Sequence, residues 1–273
     1  MILSIIEQGF IALPLLLGAY LIFSLLKLPD LSLESSYLFG AVVAFFAKEL
    51  PFPLVLLSAM MGGVCVGATV SIFNQFLRIP FLLAAIITNG LFHGFIVYLI
   101  GGGFLSFHYQ LPMQELLCLF LVGLALLCSM WIFFRSQIGY SFAIYGNNPC
   151  FFRSHPISER YVVVTGVIVG HAFAGISGFF FTQSNGFIDI TIHFGVVLMC
   201  LTALMIGKLL IRSVSPNILL PLVGIVIYFF LQQGLLRLGL NLKYFNTFQA
   251  LCVLGALLIS KRKNSLSLDH LGV

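Results

Sequence analysis

The sequence predicts an all-α integral membrane protein, a polytopic helical bundle of about nine spans, and three observations lead there. Apolar residues make up 60% of the 273-residue chain and charged residues only 8%, against about 25% charged in soluble domains. Mean hydropathy is +1.13. The apolar residues fall into long runs with short connectors, and a helix needs about 20 such residues to cross roughly 30 Å of hydrocarbon.

Taken in order, the runs place spans at Gly9–Leu26, Tyr37–Phe46, Phe52–Leu77, Phe81–Ile100, Met113–Phe134, Val162–Thr182, Phe194–Ile211, Pro216–Leu236 and Phe245–Ile259. The segment Met1–Ile6 lacks the basic stretch of a cleaved signal peptide, so the first run is expected to stay in the mature chain. The second run is too short to cross alone at about 1.5 Å per residue. It reads as a half-helix after a break at Leu28-Pro29-Asp30-Leu31-Ser32, and irregular backbone at membrane depth is tolerated only against protein or a watery cavity.

Basic residues in short loops mark the cytoplasmic side. Lys27 follows the first span, Arg78 precedes the fourth, and Arg135, Arg153 and Arg160 lie in the longest polar stretch. Lys208 and Arg212 end the seventh, and Lys261-Arg262-Lys263 closes the ninth. Counting spans puts all of these on one face and the amino-terminal end on the other. Lys48, Glu49, Arg237 and Lys243 fall on the outer side, against the rule.

A weak echo links Pro29-Asp30-Leu31-Ser32 after the first span with Ile188-Asp189-Ile190-Thr191 after the sixth. The two preceding spans run in opposite directions, the arrangement of an inverted repeat. Asp30 and Asp189 are expected to cap the helices that follow them, with Ser32 and Thr191 as alternative caps. An ionisable group within a spanning unit also tends to face a cavity or the bundle interior, so the two breaks are candidates for the walls of a solute path. Glu34, a turn beyond Asp30, complements the dipole of the helix it begins. Asn89 and His93 are four apart and share a helix face, which suits an interhelical hydrogen-bonding pair or a lining role. His193 falls beside the second break. The run from Gly170 to Gly178 reads as a close-packing surface, His171 included.

Several chemistries are excluded. There is no phosphate-binding loop, so nucleotide hydrolysis must come from another subunit. No paired carboxylates, nucleophile elbow or HExxH pattern is present, and neither a catalytic residue, a metal site nor a cofactor is expected. The six cysteines lack CxxC spacing and read as small buried hydrophobes. The net charge of +5 concerns topology, not nucleic acid.

Four stretches carry a family resemblance. Lys27-Leu28-Pro29-Asp30-Leu31-Ser32-Leu33-Glu34-Ser35 with Leu38-Phe39-Gly40-Ala41, then Arg78-Ile79-Pro80-Phe81, resemble in order the permease subunits of ATP-binding cassette (ABC) importers for branched-chain amino acids and ribose. So do Gly139-Tyr140 through Gly146-Asn147-Asn148-Pro149, and Gly175-Ile176-Ser177-Gly178 followed by Phe187-Ile188-Asp189. The closest likeness is to a short, uncharacterised amino-acid-type branch.

The resemblance implies that residues 1–273 form a single transmembrane permease domain that pairs as a homodimer in the bacterial cytoplasmic (inner) membrane. It further implies two cytoplasmic ATP-binding subunits, an extracytoplasmic solute-binding protein and surrounding membrane lipid. Residues 139–160 would hold the coupling segment, with Gly139, Gly146, Asn147, Asn148, Arg153 and Arg160 at the ATPase contact. Asp30, Leu31, Ser32, Glu34, Asn89, His93, Asp189, Thr191 and His193 would border the solute's route. One departure is that Gly207 precedes Lys208 and the loop Arg212-Ser213-Val214-Ser215-Pro216 lacks the Gly-rich character usual there. The residues leave one alternative open: an ion-coupled secondary transporter using Asp30 or Asp189.

Overall fold

The computed structural model describes residues 2–101, 103–112, 114–154, 157–191, 194–211, 216–239, 246–255 and 258. The first helix, α1, spans Ile2–Ala19 and continues as a π-helical segment, Tyr20–Leu25. Then come α2 (Leu33–Phe46), α3 (Phe52–Gln75), α4 (Phe81–Ile100), α5 (Glu115–Arg135) and α6 (Gln137–Asn147). A short 3-10 turn at Pro149–Ser154 precedes α7 (Glu159–Asn185), α8 (Val196–Leu210), α9 (Leu219–Arg237) and a helical stretch at 246–255.

Among the described residues, six helices are long and apolar enough to cross a membrane, and α2 and α8 are shorter apolar helices. The chain is a multi-pass membrane protein. The predicted second span is the short α2, as its length required. The first helix begins at Ile2 and its apolar span at Leu3, not Gly9. The half-buried Glu7 and Gln8 therefore lie within the first helix, ahead of the expected start.

At the centre stands α7, which packs on α1, α2 and α3, while α8 and α9 pack on α1 from the other side. Small residues set these crossings, as expected where lipid removes the hydrophobic drive for helix association. A methyl group at Gly18 would strike the Gly170 carbonyl, and one at Gly40 would strike the backbone of Gly175. On the other side of the bundle, Gly224 lies against the Ala203 carbonyl and Gly207 against that of Leu220. The reading of Gly170 to Gly178 as a packing surface therefore holds for its glycines.

A two-stranded antiparallel sheet, unforeseen from the sequence, joins β1 (Phe104–Ser106) to β2 (Phe187–Asp189), with Leu105 opposite Ile188. Gln183 clamps the same region: its Oε1 accepts from Tyr109 N (3.0 Å) and its Nε2 donates to Tyr109 O (2.8 Å). The Tyr109 hydroxyl donates to Leu50 O (3.0 Å), and Ser184 Oγ donates to Glu7 Oε1 (3.3 Å). These groups all belong to the face that the charge count places outside.

On the opposite face Lys27 Nζ donates to Asn147 Oδ1 (2.7 Å), and Asn217 N donates to the Tyr20 hydroxyl (2.9 Å). The tertiary contacts thus sort the connectors into the same two faces as the basic residues do. Lys27 and Arg78 occupy left-handed conformations, φ 56° and 57°, in matching wide turns that end the π-helical segment and α3. In each, the residue before the basic one bonds five back, Leu26 N to Leu21 O and Leu77 N to Ile72 O. The residue after it bonds six back, Leu28 N to Ile22 O and Ile79 N to Phe73 O.

Candidate functional site

The break between α1 and α2 leads back into the bundle. Asp30 and Ser32 are fully buried and reach His171, near the midpoint of α7, so α2 starts deep in the protein and runs outward. Asp30 Oδ1 accepts from Ser32 N (2.9 Å) and Ser32 Oγ (2.6 Å). His171 Nδ1 donates to the Val167 carbonyl (2.8 Å), and Nε2 lies 2.9 Å from Ser32 Oγ and 3.5 Å from Asp30 Oδ2. That second carboxylate oxygen is buried with no other hydrogen-bond partner. The single Ser32 hydrogen is directed at Asp30 Oδ1, so Asp30, Ser32 and His171 form one buried polar cluster that ties the start of α2 to α7. His171, read from the sequence as part of a packing surface, does pack against Gly63 and Gly67 of α3 and is also the far side of this polar cluster.

The second break repeats the turn. Asp189 Oδ1 accepts from Thr191 N (3.2 Å) and Oδ2 accepts from the Thr191 hydroxyl (2.9 Å). The echo between the two Asp-x-hydroxyl segments is thus a shared local geometry, but the second copy is more exposed.

The expected helix caps need correction. Ser32 is the N-cap of α2 and makes no side-chain cap bond, while Asp30 binds the amide of Ser32, outside the helix. Asp189 does not cap α8: its N-cap is Gly195, at φ 85°, with the Asn246 side chain against it. The α8 terminus is met by Glu34, whose Oε1 accepts from Gly195 N (3.2 Å) and which also engages the Val197 backbone. The first turn of α2 therefore supplies a carboxylate to the positive end of α8 as well as to its own.

Asn89 on α4 receives a hydrogen bond from the Ser35 hydroxyl on α2 through its side chain, and Asn89 O lies 3.3 Å from the same hydroxyl. That is the interhelical pairing foreseen for Asn89. His93 is half-buried on α4, Leu31 is exposed, and His193 lies outside the described residues.

A cavity of about 410 Å³ opens elsewhere, among α1, α2, α7, α8 and α9, within the size range of small-molecule sites. Helix α1 contributes Ser4, Glu7 and Gln8, and α7 contributes Ser177, Ser184 and Asn185. Across from them, α9 contributes Tyr228 and Gln232, and Tyr37 comes from α2. Because Ser4 and Glu7 lie near the start of α1 and Asn185 ends α7, the cavity occupies the outer half of the bundle. None of the eight described residues expected to border a solute route lines it.

The sequence did carry a signal for this cavity. Ser4 and Gln8, Ser177 and Ser184, and Tyr228 and Gln232 each share a helical face, but nothing in one helix says which neighbour its polar stripe will meet.

On the face that the charge count assigns to the cytoplasm, α6 lies against the ends of other helices. A methyl at Gly139 would strike the Phe133 carbonyl and one at Gly146 the Leu25 carbonyl. Ser136 caps α6, accepting from Gly139 N (3.2 Å), and the helix runs through Asn147 with Asn148 as its C-cap. Asn147, exposed at the end of α6, accepts from Lys27, and Asn148, Tyr140, Ile144 and Phe151 are exposed as well. Arg160 is exposed in the first turn of α7; the Arg153 side chain lies outside the described set.

Comparison with known proteins fits this architecture. An uncharacterised protein of Rickettsia prowazekii is 28% identical over 258 residues, covering 88% of this chain and 90% of the relative. A protein of Clostridioides difficile named as a tyrosine transport system permease is 24% identical over 281 residues, covering 98% of this chain and 95% of that one. No solved structure matches. The family described as branched-chain amino acid transport system, permease component, matches residues 1–259, and the chain belongs to that family.

Proposed function

We propose that this protein is the membrane-spanning permease subunit of an ABC importer in the bacterial cytoplasmic membrane. It carries a small polar, amino-acid-like solute by alternating access, driven by ATP-binding partner subunits. The observation that carries the reading is the division of the molecule. A polar cavity of about 410 Å³ occupies the outer half, and a separate cytoplasmic helix, α6, turns Tyr140 and Ile144 outward on the other face. The Clostridioides difficile relative, named as a tyrosine transport system permease, supports an amino-acid-like solute.

On this reading the chain forms one permease domain, pairs with a second copy, and receives solute from an extracytoplasmic binding protein. Residues 139–160 dock the ATPase, with Asn148 and Arg160 reaching it beside the exposed α6 face. Gly139, Gly146 and Asn147 seat α6 on the helix ends that must move. Asp30, Ser32 and Glu34 fix the depth at which the half-helices begin, next to the solute's route.

The test is uptake into vesicles holding the permease with its ATPase. Vanadate-sensitive uptake that requires the ATPase is expected, and a Tyr140→Ala, Ile144→Ala double variant should hydrolyse ATP without uptake. Uptake by the chain alone, driven by an ion gradient, would overturn the reading in favour of secondary transport.

A further inference from the structure

The outer cavity carries charge of one sign. Glu7 lines it, and among the described residues no lysine, arginine or histidine does. Glu115 on α5 stands close enough to interact with the Glu7 charge, with His108 also near Glu115, so the acid at the cavity does not stand alone. Among the described residues Glu7 accepts one hydrogen bond, from the Ser184 hydroxyl at 3.3 Å, and that hydroxyl is shared with Glu115. That distance is long for a hydroxyl donor to a carboxylate.

A second acceptor lies across the cavity. Gln232 on α9 lines it with a buried Oε1 that has no hydrogen-bond partner. A buried acceptor left unpaired costs about 1–3 kcal/mol, and a ligand N–H would relieve it. The remaining walls include the rings of Tyr37, Phe181, Tyr228 and Phe229. Aromatic faces attract cations and bury apolar skeletons, and they bring no positive charge to a carboxylate or phosphate.

We infer that this cavity binds its solute by an ammonium group, held by Glu7 with Gln232 as a second acceptor, while the solute's apolar body lies against the aromatic rings. The inference rests on the importer reading and narrows it: the site takes organic cations and amine-bearing zwitterions, and it rejects anions. A zwitterion's carboxylate finds no basic partner among the described lining residues, so the amine dominates recognition.

Three probes with one phenylethyl skeleton separate the charges: phenethylamine, phenylalanine and 3-phenylpropanoate. Saturation-transfer NMR on the full chain in phosphatidylcholine nanodiscs reads their binding. Phenethylamine and phenylalanine are expected to give saturable signals and 3-phenylpropanoate none. Glu7→Gln should weaken phenethylamine about tenfold, the scale of one charge-assisted contact, and Glu7→Asp should restore most of the loss. Gln232→Lys should admit 3-phenylpropanoate, a gain that a misfolded variant could not show.

The inference is overturned if the propanoate binds the unmodified protein as tightly as the amine, if Glu7→Gln leaves the order unchanged, or if no probe saturates. ATPase-dependent uptake with the charge order overturned rejects this inference alone. The expected order without any ATP-dependent uptake rejects the importer reading alone.

Discussion

Replacing Asp30 by alanine removes the acceptor around which the first helix break is built. Two donors lose their partner, Ser32 N at 2.9 Å and Ser32 Oγ at 2.6 Å, and His171 loses the carboxylate 3.5 Å from Nε2. Hydrogen bonds to a charged group contribute about 1.5–3 kcal/mol each, and breaking a buried pair costs about 3–5 kcal/mol. Polar contacts between helices in a membrane average nearer 0.6 kcal/mol, with a maximum of about 1.7, because the unfolded reference state also finds partners. A loss of about 3 kcal/mol weighs these terms together, and at roughly 2–4 °C per kcal/mol it lowers the midpoint of thermal unfolding by about 6–12 °C.

The assay is thermal unfolding of purified protein in detergent, followed by size-exclusion fluorescence. Asp30→Asn keeps one acceptor and should fall between wild type and Asp30→Ala. His171→Ala in the Asp30→Ala background should cost less than in the wild type, because both remove the same cluster. An Asp30→Ala protein that melts with the wild type, or strictly additive losses in the pair, would refute this account of the break.

Three further outcomes follow from the geometry. Gly178→Ala drives a methyl into the Tyr37 carbonyl, and Gly63→Ala drives one into the His171 carbonyl. Each should cost about 1–3 kcal/mol by overpacking, while Gly94→Ala, with open space around it, should stabilise α4 by about 0.5–1 kcal/mol; melting of the three variants checks the contrast. Arg78→Gly removes a left-handed non-glycine backbone at an exposed position and should raise stability by about 1 kcal/mol, seen as a higher melting midpoint. A cysteine placed at Ser4 should react with an impermeant maleimide only from outside, and the exposed Cys150 only from the cytoplasmic side; reaction of both from one side would break the assigned topology.

The break at Leu28 to Ser32 was legible because Pro29 and Asp30 interrupt an apolar run whose remainder is too short to cross. The repeated Asp-x-hydroxyl turn was legible for a related reason: a short side chain that bonds two residues ahead needs only local sequence. The start of the first span was set too late, at Gly9, since the polar Glu7 and Gln8 interrupt the apolar run that precedes them. His171 was legible only in part: the glycines around it pointed to packing, which holds, but only Ser32 and Asp30, 139 and 141 positions away, give it a polar role as well.

By itself the sequence determined that the chain lives in a membrane, that most of its basic residues gather in alternate connectors, and where the apolar runs are interrupted. Those properties follow from hydropathy, charge and chain stiffness, all of which act over a few turns. Only the tertiary structure decided that Glu34, not Asp189, meets the start of α8, that Asp30 closes onto His171, and that the polar stripes of α1, α7 and α9 surround one cavity. Such pairings depend on which glycines let two backbones touch and at what angle the helices then cross, and that is settled by packing between distant segments.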